Sequence, residues 1–411
     1  MPVLFLFGIT FCEGATYYVA KTGTDSNSCT QAQSTATPKL TINAGLACLS
    51  SGDTLQIRVG TYNQAIDNLN AGSNIPSGNG SFTSATRIMA YPGETVWLAP
   101  TGVNHVIEIA NRSYVIVDGI KVDMSGTNPS NNASSVGVKL SSGSNRVRYT
   151  NGEIKNGGNG VQIADVGSDY NEILNTYLHD LNGPFSPPFT GFYVGETHNI
   201  IANNIVERVV GECIQLYSYN GNKGYNTVRN NTFRNCNTAY NGSGSGIIVG
   251  SGPSNLVYNN VVMNTQGIDF GAGISVGFGC SNCQIYNNTI YNNHWYGVVI
   301  NSGTNSTVIK NNIIYLNGGG TILDQGTSTV QSNNVFANPV FVNASSGDFR
   351  IQSGSPAIGT GVDLSSIFTI DYAGTSRVLP WDAGAYKYSS QTTQTSSSPP
   401  PAAPANLRRV Q

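Results

Sequence analysis

Short runs of alternating apolar and polar residues recur along the chain, parted by Gly, Asn and Ser, and the strand period of two prevails over any helical period. Ile201-Ala-Asn-Asn-Ile-Val206, Val228-Arg-Asn-Asn-Thr-Phe233, Val257-Tyr-Asn-Asn-Val-Val262, Ile285-Tyr-Asn-Asn-Thr-Ile290 and Ile309-Lys-Asn-Asn-Ile-Ile314 are one motif. Its first Asn falls at 203, 230, 259, 287, 311 and 333, in steps of 27, 29, 28, 24 and 22 residues. The frame continues upstream in weaker form at Ile173–Leu178 and Tyr149–Ile154. Each repeat also holds a second short strand led by Gly, as in Gly160-Val-Gln-Ile163, Gly191-Phe-Tyr-Val194, Gly246-Ile-Ile-Val249, Gly273-Ile-Ser-Val276 and Gly297-Val-Val-Ile300. Strands this short cannot bury a face as isolated hairpins, whereas winding them into a coil stacks each on its equivalent in the next repeat. The pattern predicts an all-β chain folded as a parallel β-helix, with about nine coils giving a rod on the order of 40 Å plus caps.

The first Asn of each pair is expected at a turn, because Asn tolerates left-handed backbone geometry and its amide can bond the same group one coil along. Asn203, Asn230, Asn259, Asn287 and Asn311 are read as that structural ladder. Ala15–Val19 and Leu55–Val59 read as strands, and Thr41–Leu49 as a short helix plugging the apolar end of the first coil.

Composition narrows the partners. The 411 residues carry 20 Lys plus Arg against 22 Asp plus Glu, a net charge of −2, and only 10% are charged, against roughly 25% in an ordinary soluble domain. A chain so poor in cations offers no footprint for nucleic acid or an anionic membrane. Val3–Phe11 is apolar and leads into Cys12-Glu-Gly-Ala15, so residues 1–14 read as a secretion signal. No other window is long enough for a membrane span. The mature protein is expected to be secreted or displayed at the cell surface, as a monomer. Six cysteines remain, an even number that favours disulfides in an exported chain: Cys29 with Cys48 first, Cys213 with Cys236 across a coil boundary, and Cys280 and Cys283 as either a turn staple or two idle thiols. Residues 15–388 form the β-helix domain, and the Ser/Thr/Pro-rich stretch 389–411 reads as a linker to a further module.

Tyr17-Tyr-Val19, Thr22-Gly-Thr-Asp-Ser26, Gly52-Asp-Thr-Leu55 and Gly60-Thr-Tyr62, with Gly347-Asp-Phe-Arg350, Ser355-Pro-Ala-Ile358, Asp371 and Gly384-Ala-Tyr386, resemble the opening and closing segments of exported right-handed parallel β-helix proteins of the pectate-lyase-like superfamily. The resemblance spans about residues 16 to 388 and implies a right-handed coil with an N-terminal cap and a C-terminal closing segment. It implies a polysaccharide as partner, while the reaction stays open, since the superfamily holds lyases, hydrolases, epimerases and non-catalytic surface proteins. Alginate epimerases of the superfamily carry an Asp-Pro-His-Glu signature where this chain has Tyr193-Val-Gly-Glu196. Only Glu196 remains, which argues against that chemistry. The elements of polygalacturonase-like hydrolases are missing too.

Aligned on the Asn pairs, the residues four positions on form one outward column, Lys155, His179, Glu207, Arg234, Met263, Tyr291 and Tyr315, with Asp180 and Arg208 beside it. A lyase acting on an acidic, uronate-containing glycan needs a cation for the sugar carboxylate and a base for the C5 proton. Arg234 or Arg208 suits the first and Lys155 or His179 the second. Glu207 with Asp180 is read either as a Ca²⁺ pair or as the carboxylates of a glycoside hydrolase. The competing reading is an ion-pair ladder that avoids like-charge stacking. A second outward column, Glu108, Lys139, Gln162, Tyr193, Gln215, Ile248, Ser275 and Val299, offers Tyr193 as a platform for a pyranose and Gln162 and Gln215 for its hydroxyls. The insertions Asn182–Phe189 and Tyr217–Tyr225 flank these coils and suit the walls of a groove. His105 and His198 read as structural. His294-Trp295-Tyr296 is either an aromatic platform or loop packing. The chain is therefore expected to be a polysaccharide lyase, with a glycoside hydrolase or a non-catalytic carbohydrate-binding adhesion protein as the alternatives.

Overall fold

The computed structural model describes residues 14–127, 135–182, 190–218, 223–238, 244–267 and 271–390. Residues 1–13 of the expected secretion signal, most of the expected linker, and parts of the two flanking insertions (183–189 and 219–222) lie outside these residues. Among them the chain winds into three parallel sheets of twelve, ten and ten strands, called A, B and C here. One coil runs through Ile200–Ala202 in sheet A, Ile205–Val209 in sheet B and Ile214–Leu216 in sheet C. The next coil pairs in register, Ile201 with Val228, Val206 with Phe233, and Ile214 with Ile247. The inward residue of each strand thus stacks on its equivalent, and one fully buried aliphatic core runs from Val19 to Ile314. The fold is a right-handed parallel β-helix with almost no helix. Its N-terminal plug is Ile42–Leu46, shorter than the sequence suggests. Thr41 caps it by accepting from the Ala44 N–H, and Ile42 and Leu46 are fully buried in the core of the first coils.

The Asn pair works differently from the expected ladder. Its first residue (203, 230, 259, 287, 311) takes the left-handed conformation with φ between 48° and 59°, while the inward ladder is built by the second. Asn204, Asn231, Asn260, Asn288 and Asn312 each send their backbone N–H and side-chain amide to the side-chain carbonyl of the next, at 2.9–3.0 Å. The left-handed residue turns the chain inward, so the side chain that follows it enters the interior. The other two corners repeat the device with Asn171, Asn199, Asn226 and Asn255, and with Asn293 and Asn317.

The freed first Asn faces outward and docks the closing segment. Asn230 bonds the carbonyl of Asp371, Asn259 that of Ile370, Asn287 that of Asp382, and Asn311 both the N–H and the carbonyl of Val362. The segment folds back along the corner of sheets A and B. Leu364, Phe368 and Trp381 cover Tyr286 on one side, and Phe349 and Ala385 cover Val261 and Met263 on the other. Cys29–Cys48 and Cys213–Cys236 pair as expected, and Cys280 and Cys283 are bonded as the turn staple.

Candidate functional site

Register brings the first set of candidates together. Lys155 pairs with His179, His179 with Glu207, and Glu207 with Arg234 along the outer face of sheet B. Asp180 and Arg208 are left-handed residues (φ 54° and 55°) at the end of their strands, which turns their side chains back toward the column. Arg208 spans Asp180 (2.6 Å) and Glu207, Arg234 holds the other oxygen of Glu207, and Lys155 lies 3.5 Å from Asp123. Lys121 meets Glu153 at 2.9 Å. Asp123, Glu153, Asp180 and Glu207 therefore face Lys121, Lys155, Arg208 and Arg234, and the network balances its own charge.

The histidine of this network has both ring nitrogens engaged. His179 is 4% exposed, stacks on the Tyr177 ring, and bonds Asp180 through Nδ1 (2.6 Å) and Glu153 through Nε2 (3.2 Å). Neither ring nitrogen is open to a substrate. The Arg208 guanidinium, helped by His179 against the cost of burial, holds Asp180 down at about 2. Burial opposes the charge on Glu207, yet the Tyr177 hydroxyl and the Arg234 and Arg208 charges outweigh it and keep the carboxyl below its usual range. Every oxygen of Glu207 and Asp180 accepts from protein donors. The pair is thus a poor fit for Ca²⁺, which takes six to eight oxygens. Because the folded pKa lies below the unfolded one, the stability these carboxylates contribute is complete above the unfolded value near 4 and is lost as pH falls through the folded one. Thermal unfolding from pH 5 down to about 2 is expected to show a steep acid limb, and Asp180→Asn to make it shallower.

Gln162, Tyr193 and Gln215 stand in one register on the outer face of sheet C, away from the sheet B network. The nine candidates therefore form two groups on two faces rather than one site. The sheet C column continues through Lys139 to Glu108 and Asp67, and there a further group assembles. Glu108 is fully buried and accepts from His105 Nδ1 (2.8 Å), Ser141 (2.8 Å) and Asn70 (2.9 Å), with Lys139 Nζ at 3.3 Å. Burial opposes its charge, but His105, Ser141 and Lys139 outweigh that cost and hold it at about 2. An ionised Glu108 on Nδ1 fixes the imidazole as the Nδ1–H tautomer. Nε2, the other ring nitrogen, has no hydrogen-bond partner among the described residues.

His105 was expected to be structural for want of an acidic partner nearby in sequence, yet Glu108, three residues on, is that partner. In a regular strand residues 105 and 108 would face opposite sides, but Val106 and Ile107 are both buried at the corner, and this break brings His105 round to Glu108. One ligand atom each from Asp67, His105 and Glu108 lies within 4.8 Å of the others. The Asp67 oxygens are bonded by Leu69, Asn70 and the Asn70 amide, and with so few open oxygens this set does not suit Ca²⁺ either. Glu196, the remnant of the epimerase signature, is paired with Lys223 at 2.7 Å. His198 stacks between Tyr170 and Tyr225.

Among the described residues no helix is long and apolar enough to cross a membrane. Residues 189–336 match the family described as right handed beta helix region. The structure is similar to pectate lyase Pel9A (TM-score 0.63, 16% identity, 91% of this chain and 96% of that one) and to a rhamnogalacturonan lyase (0.58, 13%, 92% and 97%). It is also similar to a lacto-N-biosidase from Eubacterium ramulus (TM-score 0.53, 15% identity, 78% of this chain and 67% of that one). No curated protein sequence matches the chain. Its three stacked sheets, its family match and these neighbours make it a right-handed parallel β-helix protein with a fold close to that of pectate lyase.

Proposed function

We propose that the protein is an extracellular polysaccharide-active β-helix that binds its glycan along the outer face of sheet C and cleaves a uronate-containing chain by β-elimination. The observation that carries this reading is the His105–Glu108 pair with Lys139 beside it, at the head of the Gln162–Tyr193–Gln215 column. His105 Nε2 takes the C5 proton of the uronate, its imidazolium stabilised by Glu108. The electron pair forms the C4–C5 double bond as the C4–O bond breaks, and the leaving oxygen gains a proton from solvent. Lys139 stands against the sugar carboxylate, whose charge grows as C5 becomes carbanionic. Tyr193 stacks on a ring, and Gln162 and Gln215 bond hydroxyls on either side of it. Pectate lyase and rhamnogalacturonan lyase among the structural neighbours support this class, and three disulfides suit an oxidising compartment.

The sheet B network is the alternative locus, but its bound imidazole and balanced charge favour the ion-pair ladder. Incubation with pectate, rhamnogalacturonan and alginate is expected to produce the ultraviolet absorbance of an unsaturated uronate. His105→Gln should lower that rate by about 10²–10⁴-fold, and Lys139→Met should also suppress it, while Lys155→Ala and Arg234→Ala retain it. New reducing ends without the absorbance would mean a hydrolase, and no product from any glycan a binding protein. Loss of activity in Lys155→Ala with His105→Gln unaffected would move the site to sheet B.

A further inference from the structure

We infer that the corner joining sheets B and C is a separate binding site for an uncharged glycan, lying along the rod axis with about one sugar per coil. An open cleft of ≈ 630 Å³ runs along this corner, lined by residues that include Asn235, Asn264, Gln266, Asn292, His294 and Leu316. The three asparagines follow Arg234, Met263 and Tyr291, which are paired in register, so one amide projects from each successive coil. All three are left-handed, with φ of 53°, 55° and 53°, but that conformation does not require Asn here. Arg208 and Leu316 occupy the same column at φ 55° and 57°. The turn thus admits other side chains in this column, and three successive coils present amides.

Their hydrogen-bonding capacity is mostly unused. Asn292 donates to the Asn264 carbonyl at 2.8 Å. That leaves the Asn264 amide nitrogen, the Asn292 carbonyl and the side chains of Asn235, Gln266 and His294 without partners among the described residues. An array offering both donors and acceptors matches sugar hydroxyls, which do both. Among the described residues no Asp, Glu, Lys or Arg lines the cleft, so there an acidic chain finds no counter-charge and a neutral one loses nothing. Leu316, 56% exposed, gives an apolar surface for the C–H face of a ring. The coil spacing of about 4.8 Å is close to the length one pyranose adds to an extended glycan, so successive sugars meet equivalent amides. The inference does not depend on the reaction proposed for sheet C.

The test is affinity electrophoresis of the whole protein through gels containing galactomannan, xyloglucan, mixed-linkage β-glucan or alginate, at low and high salt. At least one neutral polysaccharide should retard the protein, and salt should leave the retardation unchanged, since no charges are paired. The double variant Asn264→Gly/Asn292→Gly keeps the left-handed backbone while removing both amides. Its binding should weaken about tenfold or more with little change in melting temperature. Gln266→Ala, an exposed position outside the ladder, should weaken binding in the same direction without a folding cost. His105→Gln should leave the retardation intact, which separates this site from the one on sheet C. Failure of every neutral polysaccharide to retard the protein, retardation by alginate alone that salt abolishes, or unchanged binding in both the double variant and Gln266→Ala would overturn the inference.

Discussion

Replacing Asn260 by Ala is expected to destabilise the protein by about 3–5 kcal/mol, because two or three buried polar groups lose their partners at about 1–3 kcal/mol each. The Asn260 side-chain carbonyl accepts from both the N–H and the amide of Asn231, and its own amide donates to the Val228 carbonyl and to Asn288. Asn260 is fully buried, so water cannot replace these bonds. Asn259, its neighbour in sequence, should behave otherwise. Asn259→Gly keeps the left-handed turn and removes only a bond to the Ile370 carbonyl and one from Arg377, at a cost of about 1–2 kcal/mol. Denaturation need not be two-state in a stacked array. Hydrogen exchange resolved by coil is therefore the suitable measurement, and in Asn260→Ala the loss of protection should centre on the coils of Asn231 and Asn288. Equal effects at 259 and 260 would contradict the division of labour within the pair.

The second large effect is expected at Arg377. Its guanidinium is 7% exposed and donates to the carbonyls of Asp382, Gly384 and Ala385 and to the Asn259 side chain. Burial pulls its pKa down to about 10, with Asp371 and Asp382 opposing, so it remains charged at neutral pH. Arg377→Ala orphans several of these acceptors at once and should cost about 3–5 kcal/mol. The loss should be confined to the closing segment. Limited proteolysis is expected to cut within residues 361–388 while the coils stay protected, and the bared Tyr258, Tyr286 and Phe368 to promote association. Arg377→Lys should not rescue docking, because a single ammonium cannot reach acceptors spread around a planar fork.

Much of this molecule could be read from its sequence. Spacing of the Asn pairs gave the coil, and the register observed between Lys155, His179, Glu207 and Arg234 is the one that spacing dictates. What spacing does not encode is the direction of a side chain at a corner. A left-handed residue breaks the alternation of a strand, and for that reason the ladder falls on Asn204 rather than Asn203, and Asp180 and Arg208 fold back onto their neighbours. The same kind of break hid the His105–Glu108 pair, since Val106 and Ile107 both turn inward. The two candidate columns were separable in one dimension, but the order of residues does not state how far around the rod sheet B lies from sheet C.

The docked closing segment gives the molecule a way of counting. Asn230, Asn259, Asn287 and Asn311 come from four successive turns of the spiral, and each grips a particular carbonyl of one continuous stretch of chain. Deleting or duplicating a turn between Asn230 and Asn311 would leave the stacking of those that remain intact, yet the grips would then fall out of step with the strip they hold. Repeats that look interchangeable are in this way held to a fixed number over that span, with the docked segment as the ruler.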